Sequence, residues 1–306
     1  MGLPTPYRAP SGLDAVKRLV LDAVSSPSTR TMYASALEDF FAWRAGQGSP
    51  PFSRAALQAH RAALESRGYA PATINQRLSA IKKLAREAAA NGLLDAAVAA
   101  AIDRVPGVKQ SGNRAGNWLT RMQAESLLHA PDPATRKGAR DRALLALLVG
   151  CGLRRGEAVA LTFAHLQQRD GRWAIVDLRG KHGRLRTVAV PAWVKQAVDL
   201  WLVAAGIGEG RILRSLNRHG QITGESLSPQ AVLAVAVFYG DQLGLRLRPH
   251  DLRRTCAKLC RAGGGDLEQI QFMLGHASIQ TTERYLGTRQ NLADAPNDRL
   301  GLTWKD

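Results

Sequence analysis

Basic and imidazole side chains recur in short, glycine-punctuated segments of the second half of the sequence. Arg154 lies in the run GLRRGE, directly after an apolar helical stretch, where its planar guanidinium can pair with a phosphate. Lys181 lies in the run RGKHGR between two predicted strands, so this cation stands on a hairpin turn. His250 and Arg253 are three positions apart at the start of a predicted helix and therefore share a face. Each signal alone is weak, because such side chains are more often solvated or locally hydrogen-bonded groups.

His276 and Tyr285 add an imidazole and a phenol nine positions apart. His276 follows the end of one predicted helix in the run LGH, and Tyr285 belongs to the next helix in the run TTERY. A phenol has an ordinary pKa of about 10, so it attacks only where cations or a base help to remove its proton. Taken singly, a helical tyrosine is a packing residue. A metal site is not expected, because the histidines form no HExxH frame and no cysteine or carboxylate cluster accompanies them.

The order of these segments is more specific than any one of them. GLRxxE, a Gly-Lys hairpin, HxLR, LGH and a tyrosine nine residues further on resemble the catalytic signature of the tyrosine recombinases, the family of lambda integrase, Cre and the Xer proteins. The resemblance covers the chain directly from about Leu119 to its C-terminus. The helical N-terminal half is similar to the core-binding domain of that family at the level of pattern only.

The resemblance implies a site that surrounds one scissile phosphate. Its expected catalytic residues are Arg154, Lys181, His250, Arg253, His276 and Tyr285. Tyr285 is expected to attack with His250 as base, Lys181 to protonate the departing 5′ oxygen, and Glu157 to act as a supporting carboxylate. The arginines and His276 are expected to bind the nonbridging oxygens. The 3′-phosphotyrosyl product conserves the bond energy, so no metal, other cofactor or ATP is expected.

One position departs from that signature, and the assignment of another has alternatives. Arg254 stands where many members of the family have a second histidine, and we expect only altered packing from this difference. The hairpin offers Arg184 and Arg186 as alternatives to Lys181 as the catalytic cation.

The first hundred residues have helical periodicity throughout, with glycine and proline punctuation that predicts four or five helices. The stretch from Ala72 to Ala90 has one apolar face and one polar face. We expect Lys82, Lys83 and Arg86 to contact DNA from this helix. A merely solvated polar face is an equally good interpretation of the helix taken alone.

The second half alternates predicted helices with a small β-element. Helices are expected at 120–130, 134–150, 191–205, 228–243, 250–262 and 267–274, and strands at 173–178 and 186–190. Residues 106–117, PGVKQSGNRAGN, are polar and unpatterned, as in a linker. The expected fold is mainly α with a small β-sheet, in two domains. These are a helical core-binding domain at 1–108, a linker at 109–117 and an α+β catalytic domain at 118–306.

Composition points to an acidic polymer as partner. The 306 residues include 42 Lys and Arg against 25 Asp and Glu, a formal net charge of +17, which favours double-stranded DNA. The three cysteines include no CxxC pair, which is typical of reduced thiols. No secretory signal and no apolar run of about 18 residues is present, so we expect a cytoplasmic protein without a membrane partner.

The sequence therefore predicts a site-specific DNA recombinase or integrase that cleaves and rejoins DNA. The family resemblance implies a homotetramer on paired DNA sites, with an accessory DNA-bending protein or partner recombinase as a further option. Two alternatives stay open: a type IB topoisomerase-like enzyme that relaxes any supercoiled DNA, and a non-catalytic DNA-binding regulator on the same fold. The sequence does not distinguish phage or island integration, excision, transposon resolution and chromosome-dimer resolution, which share this chemistry.

Overall fold

Two compact units divide the chain, residues 1–113 and residues 114–306. The structure is a computed structural model that describes residues 13–109, 117–180, 183 and 185–286. Each unit buries an apolar core of its own. The expectation of a mainly α fold with a small β-sheet is confirmed.

Five helices form the described part of the N-terminal unit. They are α1 (Leu13–Asp22), α2 (Pro27–Gly46), α3 (Arg54–Ser66), α4 (Pro71–Ala90) and α5 (Ala96–Asp103). Helix α4 is central, because it packs against each of the other four. It begins at Pro71, whose fixed φ suits the first turn, and it buries Ile74, Leu78, Ile81 and Leu84 at helical spacing. The predicted apolar face of this segment is therefore the face that builds the core.

The C-terminal unit has eight helices and five strands among its described residues. In chain order they are α6 (Arg121–His129), α7 (Arg136–Gly150), α8 (Arg155–Ala160), β1 (Leu166–Arg169), β2 (Arg172–Arg179), β3 (Leu185–Ala189), α9 (Ala192–Ala205), β4 (Ser215–Leu216), β5 (Ile222–Gly224), α10 (Pro229–Gln242), α11 (Pro249–Ala262), α12 (Leu267–Leu274) and α13 (Ile279–Leu286). The predicted helices and the two predicted strands of this half are present. Strand β1 and the β4–β5 hairpin were not predicted.

Helix α7 runs through the middle of the C-terminal unit. Nearly every residue from Gly138 to Val149 is buried, and the helix packs against α6, α8, α9, α10 and α11. The apolar stretch that precedes GLRRGE is therefore a core helix, and Arg154 emerges where it ends. Among the described residues, no helix is both long and apolar enough to cross a membrane.

An antiparallel sheet in the order β1-β2-β3 flanks this helical core. The register of β2 against β3 shifts between Ile175 and Leu178, and Asp177 within the shift has a φ of 53°. Beyond this bulge Leu178 pairs with Arg186. Both side chains are buried or nearly so, so Arg186 points into the unit rather than into solvent.

Trp201 provides a test of the C-terminal core. The side chain is fully buried in α9, and its Nε1 donates a hydrogen bond to the main-chain oxygen of Ile212 at 2.8 Å. We expect Trp201→Ala to lower the free energy of unfolding by about 3–5 kcal/mol, because a large cavity replaces the indole. Urea unfolding followed by circular dichroism measures the change.

The matched control is the neighbouring Leu200→Ala. Leu200 is 55% exposed, so its truncation is expected to change the stability by less than about 0.5 kcal/mol. Equal effects of the two substitutions would contradict this description of the core.

Candidate active site

A buried carboxylate, Glu157, organises the start of helix α8. Its Oε2 accepts a hydrogen bond from the backbone N–H of Arg154 at 2.7 Å, and its Oε1 accepts one from Arg154 Nη1 at 2.7 Å. Arg186 donates to the same two oxygens, at 2.8 Å each. The side chain of Arg154 is 33% exposed and that of Glu157 only 5%. Glu157 therefore fixes Arg154 through both main chain and side chain while part of the guanidinium still faces outward.

Arg186 also links the Glu157 carboxylate to helix α12. Its Nε donates to the main-chain oxygen of Met273 in α12 at 2.9 Å. Burial by itself raises the pKa of Glu157, but the hydrogen bonds from Arg186 and Arg154 outweigh it and hold that pKa at about 2. Glu157 is thus an anion at neutral pH. Sequence reasoning considered Arg186 only as an alternative to Lys181 and missed this buried ion pair.

Arg253 is buried beneath the cluster and holds two of its segments. Its Nη1 donates to the main-chain oxygen of Gly152, and its Nη2 donates to that of Leu274. Burial, with a further contribution from the nearby Arg154, lowers the pKa of Arg253 to about 10. A guanidinium has five N–H donors, so three remain beyond these two bonds. Arg253 therefore ties the GLR and LGH segments together while it still has donors for another acceptor.

Glycine at position 275 explains the LGH run. Gly275 ends α12 in the left-handed region with a φ of 61°, and a Cβ there would lie 2.9 Å from Cδ of Arg186. The chain can therefore turn tightly enough to bring His276 into the cluster. His276 Nδ1 is 2.9 Å from the hydroxyl of the fully buried Thr282. This contact leaves Nε2 as the ring nitrogen that can face a substrate.

Tyr285 lies between the two imidazoles. Its ring centroid is 5.4 Å from that of His250 and 5.2 Å from that of His276, and both histidines meet it edge-on. Its hydroxyl donates to the main-chain oxygen of His250 at 3.3 Å. Burial raises the pKa of Tyr285 to about 12, although Arg253 and Arg254 oppose the rise. The phenol is therefore held protonated in this structure, beside two cations.

Both imidazoles are held in their neutral form at pH 7. Burial, followed by the charges of Arg253 and Arg154, lowers the pKa of His276 to about 4. The pKa of His250 is also lowered from its ordinary value of 6.5, by desolvation and then by Arg254 and Arg253. Each ring can consequently accept a proton as well as donate one.

The structure thus brings five of the six predicted catalytic residues into one cluster. They are Arg154, His250, Arg253, His276 and Tyr285. Lys181 lies outside the described residues. Its neighbour Gly180 lines a pocket of about 290 Å³ together with Arg186 and His276, so the residue that follows β2 lies beside the cluster.

The three cations predicted to contact DNA lie on α4 of the N-terminal unit, and each has a partner within that unit. Lys82 Nζ donates to the main-chain oxygen of Val105 at 2.7 Å. Lys83 pairs with Glu87 at 3.1 Å, and Arg86 lies 3.5 Å from Asp103. Of the three, the side chain of Arg86 is the most open to solvent.

A similar contact holds the segment around Val108 against α4. The Asn75 amide donates to the main-chain oxygen of Val108 at 2.9 Å and accepts from its N–H at 2.7 Å. Part of the polar face of α4 therefore holds residues 105–108 in place.

No group of three or more His, Cys, Asp and Glu side chains that could hold a metal ion occurs in the part of the chain that the structure describes. The cluster is instead made of guanidiniums, imidazoles, one carboxylate and one phenol. This set of groups can bind a phosphate and present a nucleophile to it.

Sequence comparisons identify related proteins. The family model of the phage integrase family matches residues 117–291. A tyrosine recombinase of Synechococcus elongatus is 31% identical over 93% of this chain and 92% of its own length. The tyrosine recombinase XerC of Rhodospirillum centenum is 32% identical over 85% of this chain and 77% of its own.

Solved structures share the fold. The XerH site-specific recombinase, in a post-cleavage complex with a palindromic difH substrate, aligns with a TM-score of 0.68 at 21% identity over 92% of this chain and 82% of its own. A lambda integrase dimer bound to a COC′ core site aligns with a TM-score of 0.68 at 19% identity over 96% of both chains. At such identities the likeness concerns the fold.

Glu157→Gln tests the electrostatic anchor. The folded-state pKa of about 2 lies below the ordinary 4.5, so the carboxylate stabilises the fold above pH 4.5 and this contribution is lost as the pH falls towards 2. At pH 7 we expect the variant to lose about 3 kcal/mol of unfolding free energy, because Arg186 stays buried without its anion. Its stability should also depend less on pH between 4.5 and 2. Urea unfolding at a series of pH values measures both effects.

Glu125→Gln on α6 is the matched control, since Glu125 is exposed. It should leave both the stability at pH 7 and the pH dependence close to those of the unaltered protein. An unchanged pH profile in Glu157→Gln would argue against a buried, ionised Glu157.

Proposed function

The chain belongs to the phage integrase family of tyrosine recombinases, and from that membership and the cluster geometry we propose a site-specific DNA recombinase with Tyr285 as its nucleophile. The observation that carries the proposal is the position of the Tyr285 phenol, enclosed by His250 and His276 and next to buried cations. Phosphate chemistry on a phenol needs this combination of nucleophile, proton acceptor and positive charge.

The scissile phosphate is bound by the cations of the cluster. Arg154 offers the exposed part of its guanidinium, oriented by Glu157. Arg253 offers the donors that Gly152 and Leu274 leave unused, and His276 offers Nε2. Charge-assisted hydrogen bonds to the nonbridging oxygens lower the energy of the transition state more than that of the ground state, because negative charge grows on these oxygens during attack.

The transesterification balances without an external reagent. The Tyr285 oxygen forms a bond to phosphorus as the bond to the 5′ oxygen breaks, which leaves a 3′-phosphotyrosyl linkage. The phenolic proton passes to neutral His250, whose lowered pKa keeps it available as a base. Lys181 supplies the proton that the departing 5′ oxygen takes up. A 5′-hydroxyl from another strand reverses these steps, so neither ATP nor a metal or other cofactor is consumed.

Each of the two units has its own role in binding DNA. Residues 1–108 form the core-binding domain and residues 118–306 the catalytic domain, joined by a linker at 109–117. On α4 the exposed Arg86 is the best placed of the three cations to exchange an internal partner for a phosphate, because its side chain is 64% exposed against 27% for Lys83. Lys82 is already held by Val105 and serves more to fix the chain.

Strand exchange requires two DNA duplexes, so we propose a homotetramer on paired sites, in the cytoplasm where its DNA substrate lies. The XerH and lambda integrase structures are themselves complexes with DNA substrates. An accessory DNA-bending protein or a partner recombinase is a further possibility for this assembly. Integration, excision and resolution of mobile elements are all compatible with the same active site.

The central prediction concerns Tyr285→Phe. A DNA site is first selected by binding from genomic fragments and then made as a nicked duplex that releases the short strand after cleavage. The unaltered protein should form an adduct with this DNA that survives denaturation, and Tyr285→Phe should form none, a loss of at least about 10³-fold, because only the attacking oxygen is removed. Gel electrophoresis detects the adduct and mass spectrometry locates the modified residue.

Tyr33→Phe is the control for loss of a tyrosine hydroxyl, since Tyr33 packs against the N-terminal core. It should form adduct normally. Adduct formation by Tyr285→Phe would overturn the proposal. Specific binding without any adduct would favour the non-catalytic regulator, and relaxation of supercoiled DNA without site preference would favour a topoisomerase.

A further inference from the structure

Arg254 lies against the nucleophile from a third side. Its guanidinium carbon is 4.9 Å from the centroid of the Tyr285 ring, which His250 and His276 already flank edge-on. A cation over an aromatic face is attracted by the electron density of the ring. Tyr285 is therefore enclosed by two neutral imidazoles and one permanent positive charge.

The side chain of Arg254 is partly buried against the Tyr285 ring. Its Nε is buried and has no hydrogen-bond partner among the residues that the structure describes. The preceding Arg253 differs completely, because it donates to the main-chain oxygens of Gly152 and Leu274. Two adjacent arginines thus have different roles: Arg253 holds the backbone, and Arg254 lies on the ring.

We propose that Arg254 is a positioning residue that stabilises the Tyr285 phenolate as it forms and holds the ring in the orientation for attack. When the phenol loses its proton, the ring gains a full negative charge beside a guanidinium that is partly removed from water. The attraction is therefore stronger for the phenolate than for the phenol. A contact that strengthens as the reaction proceeds accelerates it.

Other charged groups near Tyr285 act on the same proton. Arg253 favours the phenolate more strongly than Arg254 does, and Asp251 opposes it. The two flanking histidines are neutral, since their pKa values are lowered. Among these neighbours Arg254 is the cation in contact with the ring face, so its effect goes beyond the altered packing that the sequence predicts for this position.

The inference rests on the proposed function, and the first experiment measures cleavage of the nicked substrate by Arg254→Gln. We expect the rate of adduct formation to fall about tenfold, with the rise of the rate with pH displaced by about one pH unit to higher pH. Arg254→Lys should recover part of the loss, because it restores the charge. DNA binding and thermal unfolding are measured in parallel to confirm that the variants fold and bind.

Arg261→Gln removes a charge from the same helix and is the matched control. Arg261 is exposed and donates to the main-chain oxygen of Gly265, away from the ring. Its adduct formation should match that of the unaltered protein. If Arg254→Gln is as fast as this control, the inference is wrong while the proposed function stands. If the unaltered protein forms no adduct, the proposed function fails and the inference with it.

A more acidic phenol in place of Tyr285 tests whether Arg254 stabilises the phenolate or only supports the structure. Tyr285 is replaced by 3,5-difluorotyrosine in both the unaltered protein and Arg254→Gln. Fluorine lowers the pKa of the phenol, so at a pH above that pKa in both proteins the nucleophile is already ionised and the rate ratio should shrink from about tenfold towards one. A ratio that stays the same would show that Arg254 acts by packing or by binding DNA, and would overturn the inference.

Discussion

Glu157 accepts hydrogen bonds from two guanidiniums on the two oxygens of one buried carboxylate, and the arrangement of the candidate site depends on this interaction. The charges do not balance, since the buried Arg253 adds a third guanidinium, whose pKa is lowered by burial and by the like charges of Arg154 and Arg186. Two unit charges 4 Å apart at an effective dielectric constant of 20 interact by about 4 kcal/mol, so such crowding is costly. Carbonyl oxygens of Gly152 and Leu274 offset part of the cost. The remaining positive charge suits an anion such as the phosphate of the proposed substrate.

After burial, the same excess charge is the next influence on the pKa values of both histidines and of Tyr285. It helps to keep both imidazoles neutral, because protonation would add a further cation to a desolvated cationic site. It also opposes the effect of burial on Tyr285, which otherwise holds the phenol in its protonated form. Burial outweighs this opposition, so Tyr285 stays protonated at neutral pH.

Sequence reasoning located the residues of the cluster better than it located the surrounding framework. The order of short motifs identified the five described residues that meet in the cluster, because each motif marks a helix start or end, where glycine or a cap fixes the side chain. The long periodic helices were also predictable. Strand β1 and the two short strands β4 and β5 were missed, since two to four residues give too little periodicity to detect. The buried ion pair of Arg186 was missed because it depends on the register of β2 with β3 and on the packing of α12, contacts between segments distant in sequence.

Similarly, the sequence showed that α4 has a polar face, but it did not show whether that face contacts a following segment of the chain or DNA. Asn75 and Lys82 hold the backbone at Val108 and Val105, and a polar face that secures a following segment looks the same in sequence as one that faces DNA. What distinguishes the two is the path of the chain after α5. That path is determined by buried contacts of Val105 and half-buried contacts of Val108 with the N-terminal core, which have no local signature.

Helix α11 shows how one short element can both hold the backbone and contact Tyr285, the proposed nucleophile. Residues three apart and four apart on a helix lie close to one another but point in directions that differ by part of a turn. From His250 a step of three leads to Arg253, which faces inward to the carbonyl oxygens, and a step of four leads to Arg254, which lies on Tyr285. In the same turn, the carbonyl oxygen of His250 accepts a hydrogen bond from the Tyr285 hydroxyl. Any rotation of α11 would therefore change both the backbone contacts of Arg253 and the surroundings of Tyr285. The integrity of the fold is thus coupled to the orientation of the Tyr285 phenol.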